Sequence, residues 1–168
     1  MYEEDIRKQK MEIVNMTYVN QISTHISPAF AVLELFNVLL RDVMNIEYGI
    51  DDERSDKLVL SNGHVALALY AVYETMGIIS QDEFYTYKKK DSRISAHQDR
   101  LCTPGTLIST GSLGHGLSNA IGVAYVWKLQ NKPNRLYVTV GDGELNEGTI
   151  WESVIFAARM KLDNICLI

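Results

Sequence analysis

Apolar residues at helical spacing open the chain. Ile6, Ile13 and Met16 recur along one face over residues 4–22, and Val32, Leu35, Phe36 and Leu39 repeat the pattern after Pro28, a residue suited to a first helical turn. A charged loop at 51–56 separates this helical opening from the short apolar run 57–60, which predicts a strand ended by Asn62-Gly63. A helix to about Met76 follows, stopped by Gly77, and Ser80-x-x-Glu83 offers a capping box for another helix ending near Lys90. Residues 91–111 hold no period and contain the turn signal Thr103-Pro104-Gly105. Beyond them the pattern predicts a helix over 117–130, a strand over 136–140, a helix over 150–160 and a buried strand over 164–168. Strand and helix alternate, so the expected architecture is α/β with a doubly wound parallel sheet. The last run stops in mid-strand with no helix after it, so 1–168 is expected to be one domain, incomplete at its carboxyl end.

Composition narrows the class. With 46% hydrophobic and 22% charged residues the chain matches a globular average, and 168 residues can bury a core without disulfide or structural metal support. The net charge of -5 argues against a nucleic-acid or anionic-membrane binder, which normally shows a basic face. The one basic run, Lys88-Lys89-Lys90, fits the solvated last turn of a helix. Cys102 and Cys166 lie far apart without a CxxC spacing, nothing before the first helix resembles a signal peptide, and no apolar stretch is long enough to span a bilayer. The expected location is the cytoplasm, with no membrane and no nucleic-acid partner.

Several segments can carry chemistry. Gly141-Asp142-Gly143-Glu144 falls at the carboxyl end of the predicted strand 136–140, where open α/β sheets place their ligands. Two glycines permit a sharp turn and close approach, and the short carboxylate between them can face a hard cation such as Mg²⁺; the same tripeptide is also ordinary turn chemistry. Gly111-Ser112-Leu113-Gly114-His115-Gly116 precedes a predicted helix start, where amides and helix dipole can hold an anion; tight loop packing explains it equally well, and its glycine order is not that of a dinucleotide site. His25, His64 and His97 each sit at an element boundary, where a histidine can move protons or bond a hydroxyl or phosphate, or simply be solvated. They have no zinc spacing. Tyr70, Tyr73, Tyr85 and Tyr87 read as packing residues.

Taken together, Ser23-Thr24-His25-Ile26, Leu60-Ser61-Asn62-Gly63-His64, Ser109-Thr110-Gly111-Ser112-Leu113-Gly114-His115-Gly116 and the block from Gly141 to Glu152 resemble the amino-terminal domain of transketolases, particularly the split form made of two chains. The resemblance implies thiamine diphosphate with Mg²⁺ (or Ca²⁺) as cofactors and transfer of a two-carbon ketol unit from a ketose to an aldose. It implies Asp142 as metal ligand, His64, Gly111, Leu113 and Gly143 at the diphosphate, and His25 and His97 facing a sugar or sugar-phosphate substrate. Glu147 resembles the family's acidic residue near the subunit interface. A carboxyl-terminal section supplying the pyrimidine-binding domain and its activating glutamate is the implied partner, in a dimer or heterotetramer. Departures from the family pattern are Ser27-Pro28-Ala29-Phe30 in place of glycines, Gln98 in place of a proline and His115 in place of a glutamine, and the asparagine that completes the metal site lies beyond Ile168. A non-catalytic assembly module and a related thiamine enzyme such as a deoxyxylulose-phosphate synthase are the alternatives.

Overall fold

The computed structural model describes residues 2–168, and the chain forms two compact units. One is helical and takes residues 1–43 and 64–97; the other holds the sheet and takes residues 44–63 and 98–168.

The helical unit begins with α1 (Glu3–Asn20) and α2 (Ile26–Val38), and α2 runs on into a π-helical turn, Leu39–Val43. Three acidic residues, Glu3, Glu4 and Asp5, occupy the first turn of α1, where they complement the helix dipole. Helix α3 (Ala66–Thr75) is apolar on every side, and each residue from Ala66 to Tyr73 is buried, as a helix without a polar face must be. It packs against both α1 and α2. Ile13, Met16, Leu33 and Phe36 are fully enclosed there, each stabilising the fold by about 1.5–3 kcal/mol relative to exposure. Amid this apolar packing lies a polar pair. Gln9 Nε2 donates to Asn37 Oδ1 at 3.1 Å and Asn37 Nδ2 donates back to Gln9 Oε1 at 2.8 Å, with both residues completely buried. Asn37 also bonds the Leu33 carbonyl, and Gln9 reaches Thr75, so α1, α2 and α3 share one satisfied network.

Ser80 caps α4 (Gln81–Phe84) as the sequence predicts, its Oγ accepting the Glu83 N–H at 3.1 Å. The helix lasts one turn instead of continuing to Lys90. Glu83 does not close a reciprocal box, because its carboxylate takes the Arg93 guanidinium in a two-pronged pair at 2.9 and 3.0 Å. Lys88 therefore follows a turn and adopts a left-handed backbone, φ 59°, and is no helix C-terminus.

In the other unit, β1 (Lys57–Leu60), β2 (Leu136–Thr139) and β3 (Ile165–Leu167) form a parallel sheet in that order, with Lys57 opposite Leu136 and Leu136 opposite Ile165. This is the parallel α/β arrangement that the alternating pattern predicts. Helices α5 (His115–Leu129) and α6 (Gly148–Arg159) cover one face. Val59, Leu136 and Val138 from the strands meet Leu117, Ile121 and Trp127 of α5 and Ile150 of α6 in a single core. At the amino ends of the strands Lys57 is buried, its Nζ donating to the Ile50 and Asp52 carbonyls at 2.6 and 2.8 Å, and burial lowers its pKa. The carboxylate of Asp56 ties the neighbouring loops, accepting the N–H groups of Asn45 and Arg135 at 2.9 and 2.8 Å. On the outer side of α6, Trp151, Ile155 and Phe156 are exposed, as is Leu167 on the edge strand β3.

The buried amide pair gives a direct test of what holds the helical unit. Asn37→Ala is expected to lower unfolding free energy by about 1–3 kcal/mol, because Gln9 loses its reciprocal partner inside the core, whereas Asn45→Ala, at an exposed turn bond, changes it by under about 0.5 kcal/mol through that bond. Denaturant melts of the two variants provide the comparison.

Candidate functional site

In the sheet-bearing unit the loops leaving β1 and β2 converge with the start of α5 on one carboxylate. Glu144 lies in the 3-10 turn Asp142–Asn146 and is 1% exposed. Its Oε1 accepts the Ser61 hydroxyl at 2.7 Å and the Gly114 N–H at 2.8 Å, and its Oε2 accepts the Gly141 N–H at 2.9 Å. The Ser61-Asn62-Gly63, Gly111–Gly116 and Gly141–Glu144 segments are thus joined through a single side chain. Beside it, the Thr139 hydroxyl donates to Asn62 Oδ1 at 2.8 Å.

Glycine is required at two points of this junction. A Cβ on Gly116 would lie 2.5 Å from the Ser61 Cα, so the first turn of α5 can approach the β1 loop only without a side chain. Gly114 has φ 75°, and a Cβ there would come within 2.8 Å of both Glu147 Cβ and Thr149 Oγ1. Thr149 uses that closeness, donating its hydroxyl to the Gly114 carbonyl at 3.1 Å.

The polar groups that the junction leaves open face outward. Asp142 and Gly143 are exposed, and among the described residues the Asp142 carboxylate has neither a hydrogen-bond nor an ion-pair partner. Gly111 is exposed with φ 144°, and the N–H groups of Gly111, Ser112 and Leu113 find no acceptor among the described residues. The Leu113 side chain is half exposed. Free amides ahead of the fifteen-residue helix α5, with a free carboxylate on the loop after β2, are groups suited to an anion and a cation respectively. Among the described residues no three His, Cys, Asp or Glu side chains gather into a metal site, so Asp142 can supply only one ligand of any such ion. Glu147 opens α6 with its carboxylate unpartnered among the described residues. Gln98 is buried, and its Oε1 accepts the Leu60 N–H at 3.4 Å.

The helical unit assembles the three histidines. His25 precedes the first turn of α2, His64 lies in the 3-10 turn Gly63–Val65, and His97 ends the loop after α4. The His25 and His64 rings meet edge to face with centroids 5.8 Å apart. Together with His97, Thr24, Tyr87 and Lys88 they line a cavity of about 250 Å³. Partial desolvation lowers the His97 pKa below the ordinary 6.5, and the positive charges of His64, His25 and Lys88 lower it further. A neutral imidazole at neutral pH can accept a proton from, or a hydrogen bond of, a ligand hydroxyl.

Each segment singled out in the sequence as chemically capable therefore lies at an element boundary with polar groups turned outward. Glu144, Ser61, Gly114 and Gly116 carry no such signal as individual residues, although Gly141-x-x-Glu144 has the spacing of a reach-back cap.

A parallel α/β sheet with glycine-rich turns and free amides at the strand-to-helix junctions defines a ligand-binding domain of the phosphate-holding kind. The chain belongs to the transketolase family: the family model described as transketolase, thiamine diphosphate binding domain, matches residues 5–168. One of the two chains of an apulose-4-phosphate transketolase from Actinobacillus succinogenes is 40% identical over 133 residues, which are 79% of this chain and 47% of that protein. A 6-deoxy-6-sulfo-D-fructose transketolase chain from Clostridium sp. (strain MSTE9), likewise named as a subunit, is 33% identical over 161 residues, 95% of this chain and 57% of that protein. Among solved structures, transketolase from Leishmania mexicana superposes with a TM-score of 0.84 at 27% identity, covering 97% of this chain and 26% of that one. Transketolase from Campylobacter jejuni gives 0.81 at 27% identity, covering 99% and 28%. The chain spans about half the length of the split-subunit relatives and about a quarter of the solved chains. No helix among the described residues is long and apolar enough to cross a membrane.

Removing the central carboxylate should be costly. Glu144→Ala leaves the Ser61 hydroxyl and two buried amides without an acceptor, and a loss on the order of 3 kcal/mol is expected in chemical melts. Glu144→Gln keeps the shape but turns an NH₂ toward a donor, so it should fall between the parent and the alanine variant. The shift at His97 has a definite sign. Its pKa is lowered on folding, so its contribution to stability is present above pH 6.5 and is lost as pH falls through that value toward the folded pKa. An NMR titration should place the His97 ring below the midpoint of an unfolded-peptide histidine.

Proposed function

We propose that this chain is the diphosphate-holding part of a transketolase-type transferase that moves a two-carbon ketol unit from a ketose to an aldose. The observation that carries the reading is the Glu144 junction, which presents the three loops bearing the Ser61-Asn62-Gly63, Gly111–Gly116 and Gly141–Glu144 segments in one fixed arrangement. The groups left open there fit thiamine diphosphate: unpartnered amides at Gly111–Leu113 and an exposed Gly143 suit phosphate oxygens, and the free Asp142 carboxylate suits Mg²⁺ or Ca²⁺. When bound, the cofactor supplies the nucleophilic carbon that accepts the two-carbon unit. The protein orients, excludes and moves protons. His64 joins the diphosphate contacts, and His25 and His97 take or return protons on substrate hydroxyls, for which the neutral His97 ring is prepared. Glu147, unpartnered at the start of α6, faces a partner section that supplies the pyrimidine-binding domain.

The split-subunit relatives support a protein that works with a second chain and acts on sugar phosphates or similarly charged sugars. The apolar residues left open on α6 and β3, Trp151, Ile155, Phe156 and Leu167, are consistent with further protein surface packing there in the assembled enzyme, as a dimer or heterotetramer.

The division of labour is testable in the full enzyme with its partner. Asp142→Ala should weaken binding of thiamine diphosphate with magnesium at least tenfold, roughly 1.4 kcal/mol, in calorimetric titrations while leaving the thermal melt of the apoenzyme nearly unchanged. His64→Ala should also weaken the cofactor. His25→Ala and His97→Ala should lower turnover by about 10²-fold at unchanged cofactor affinity. Equal cofactor affinity in the Asp142 variant and the parent would remove the metal-binding role.

A further inference from the structure

Within the helical unit, the loop that carries His25 is fastened to the loop that carries His97. Asn20, at the end of α1, donates its side-chain amide to the Tyr85 carbonyl at 2.8 Å. Lys88 Nζ donates to the Ser23 carbonyl at 3.0 Å, and the hydroxyls of Tyr87 and Thr24 are 3.1 Å apart. Two consecutive residues, Tyr87 and Lys88, therefore grip two consecutive residues, Ser23 and Thr24, immediately before His25.

The gripping side is itself held rigid. Tyr87 is 1% exposed, so its ring cannot swing away without opening the core. The left-handed backbone of Lys88 is fixed by its N–H donating to the Ile94 carbonyl at 3.1 Å, with Ile94 fully buried. The Thr86 and Ser92 hydroxyls are 2.7 Å apart across the same loop, and the Arg93–Glu83 pair anchors it to α4. A non-glycine residue with positive φ is retained where its surroundings over-determine it, and here that conformation turns the lysine side chain toward Ser23. The His25 side is less constrained: Gln21 ends α1 with a left-handed φ of 51°, and His25 has no side-chain bond capping α2.

We propose that Tyr87 and Lys88 are positioning residues for His25, a two-point clip that fixes the backbone ahead of that histidine and so the placement of its ring in the cavity that it shares with His64 and His97. This rests on the reading that His25 faces the substrate, and the test separates the two ideas. The variants are Tyr87→Phe, which removes only a hydroxyl, Lys88→Met, which keeps the stem without the ammonium donor, and Lys88→Arg, which keeps a donor.

In the full enzyme with its partner, Tyr87→Phe combined with Lys88→Met should lower kcat by roughly tenfold to a hundredfold with cofactor affinity unchanged, the scale of a small misplacement of a reacting group. Lys88→Arg alone should retain most of the turnover. In a His25→Ala background the same pair of substitutions should change kcat by less than about twofold, because the group through which they act is gone. Independently of activity, the ring resonances of His25, assigned by their loss in His25→Ala, should shift and broaden in the Tyr87→Phe and Lys88→Met variants. Unmoved His25 resonances, or an equal loss of kcat with and without His25, would overturn the clip. An unaltered turnover in His25→Ala with shifted resonances would leave the clip standing and remove the substrate role of His25.

Discussion

A buried carboxylate with three donors and no cation among them is the constraint on which the sheet-bearing unit depends. Glu144 accepts from Ser61, Gly114 and Gly141, one from each of three segments that are distant in sequence. Burying an unpaired carboxylate is expensive, and three hydrogen bonds offset that cost only when all three donors are in place. The requirement works in both directions. The loops fix the glutamate, and the glutamate prevents any one of them from shifting alone. The two glycines at α5 follow from it, because that helix must come within van der Waals distance of the Ser61 backbone for the Gly114 amide to reach its acceptor.

The consequence for chemistry is preorganisation. A phosphate site made of backbone amides has no long side chains to adjust, so its geometry must be set before the ligand arrives. With Glu144 holding the junction from beneath, Asp142, Gly143 and the amides of 111–113 remain free of internal partners and can serve a ligand at little reorganisation cost. The helical unit applies the same logic with different means: a satisfied Gln9–Asn37 pair locks the helices, and a stapled loop holds the approach to the histidines. In both units the groups that meet solvent are held by neighbours that do not.

Residues of one type are used in opposite ways according to depth. Glu144 and Asp142 are two positions apart. One is sealed and structural, the other open and unpaired. Lys57 and Lys88 differ similarly, the first enclosed beneath two carbonyls at the amino end of β1, the second at the mouth of the histidine cavity.

The order of the elements was legible in the amino-acid pattern, since periods of 3.6 and 2 are local: β1 and β2 fall at 57–60 and 136–139, and α5 and α6 start within two residues of their predicted positions. The pattern also marked the Gly111–Gly116 and Gly141–Glu144 segments and the three histidines, because glycine and histidine at element boundaries are rare enough to stand out together. It could not show that α4 ends after one turn, since that outcome depends on Arg93 drawing the Glu83 carboxylate away from its cap. Nor could it distinguish Glu144 from an ordinary surface glutamate, or show Tyr87 and Lys88 reaching back to Ser23 and Thr24. Those roles arise from partners 83, 63 and 65 positions away in the chain. They were settled by the fold, because burial and hydrogen-bond satisfaction are properties of what surrounds a side chain in space, and local pattern carries no record of residues that distant.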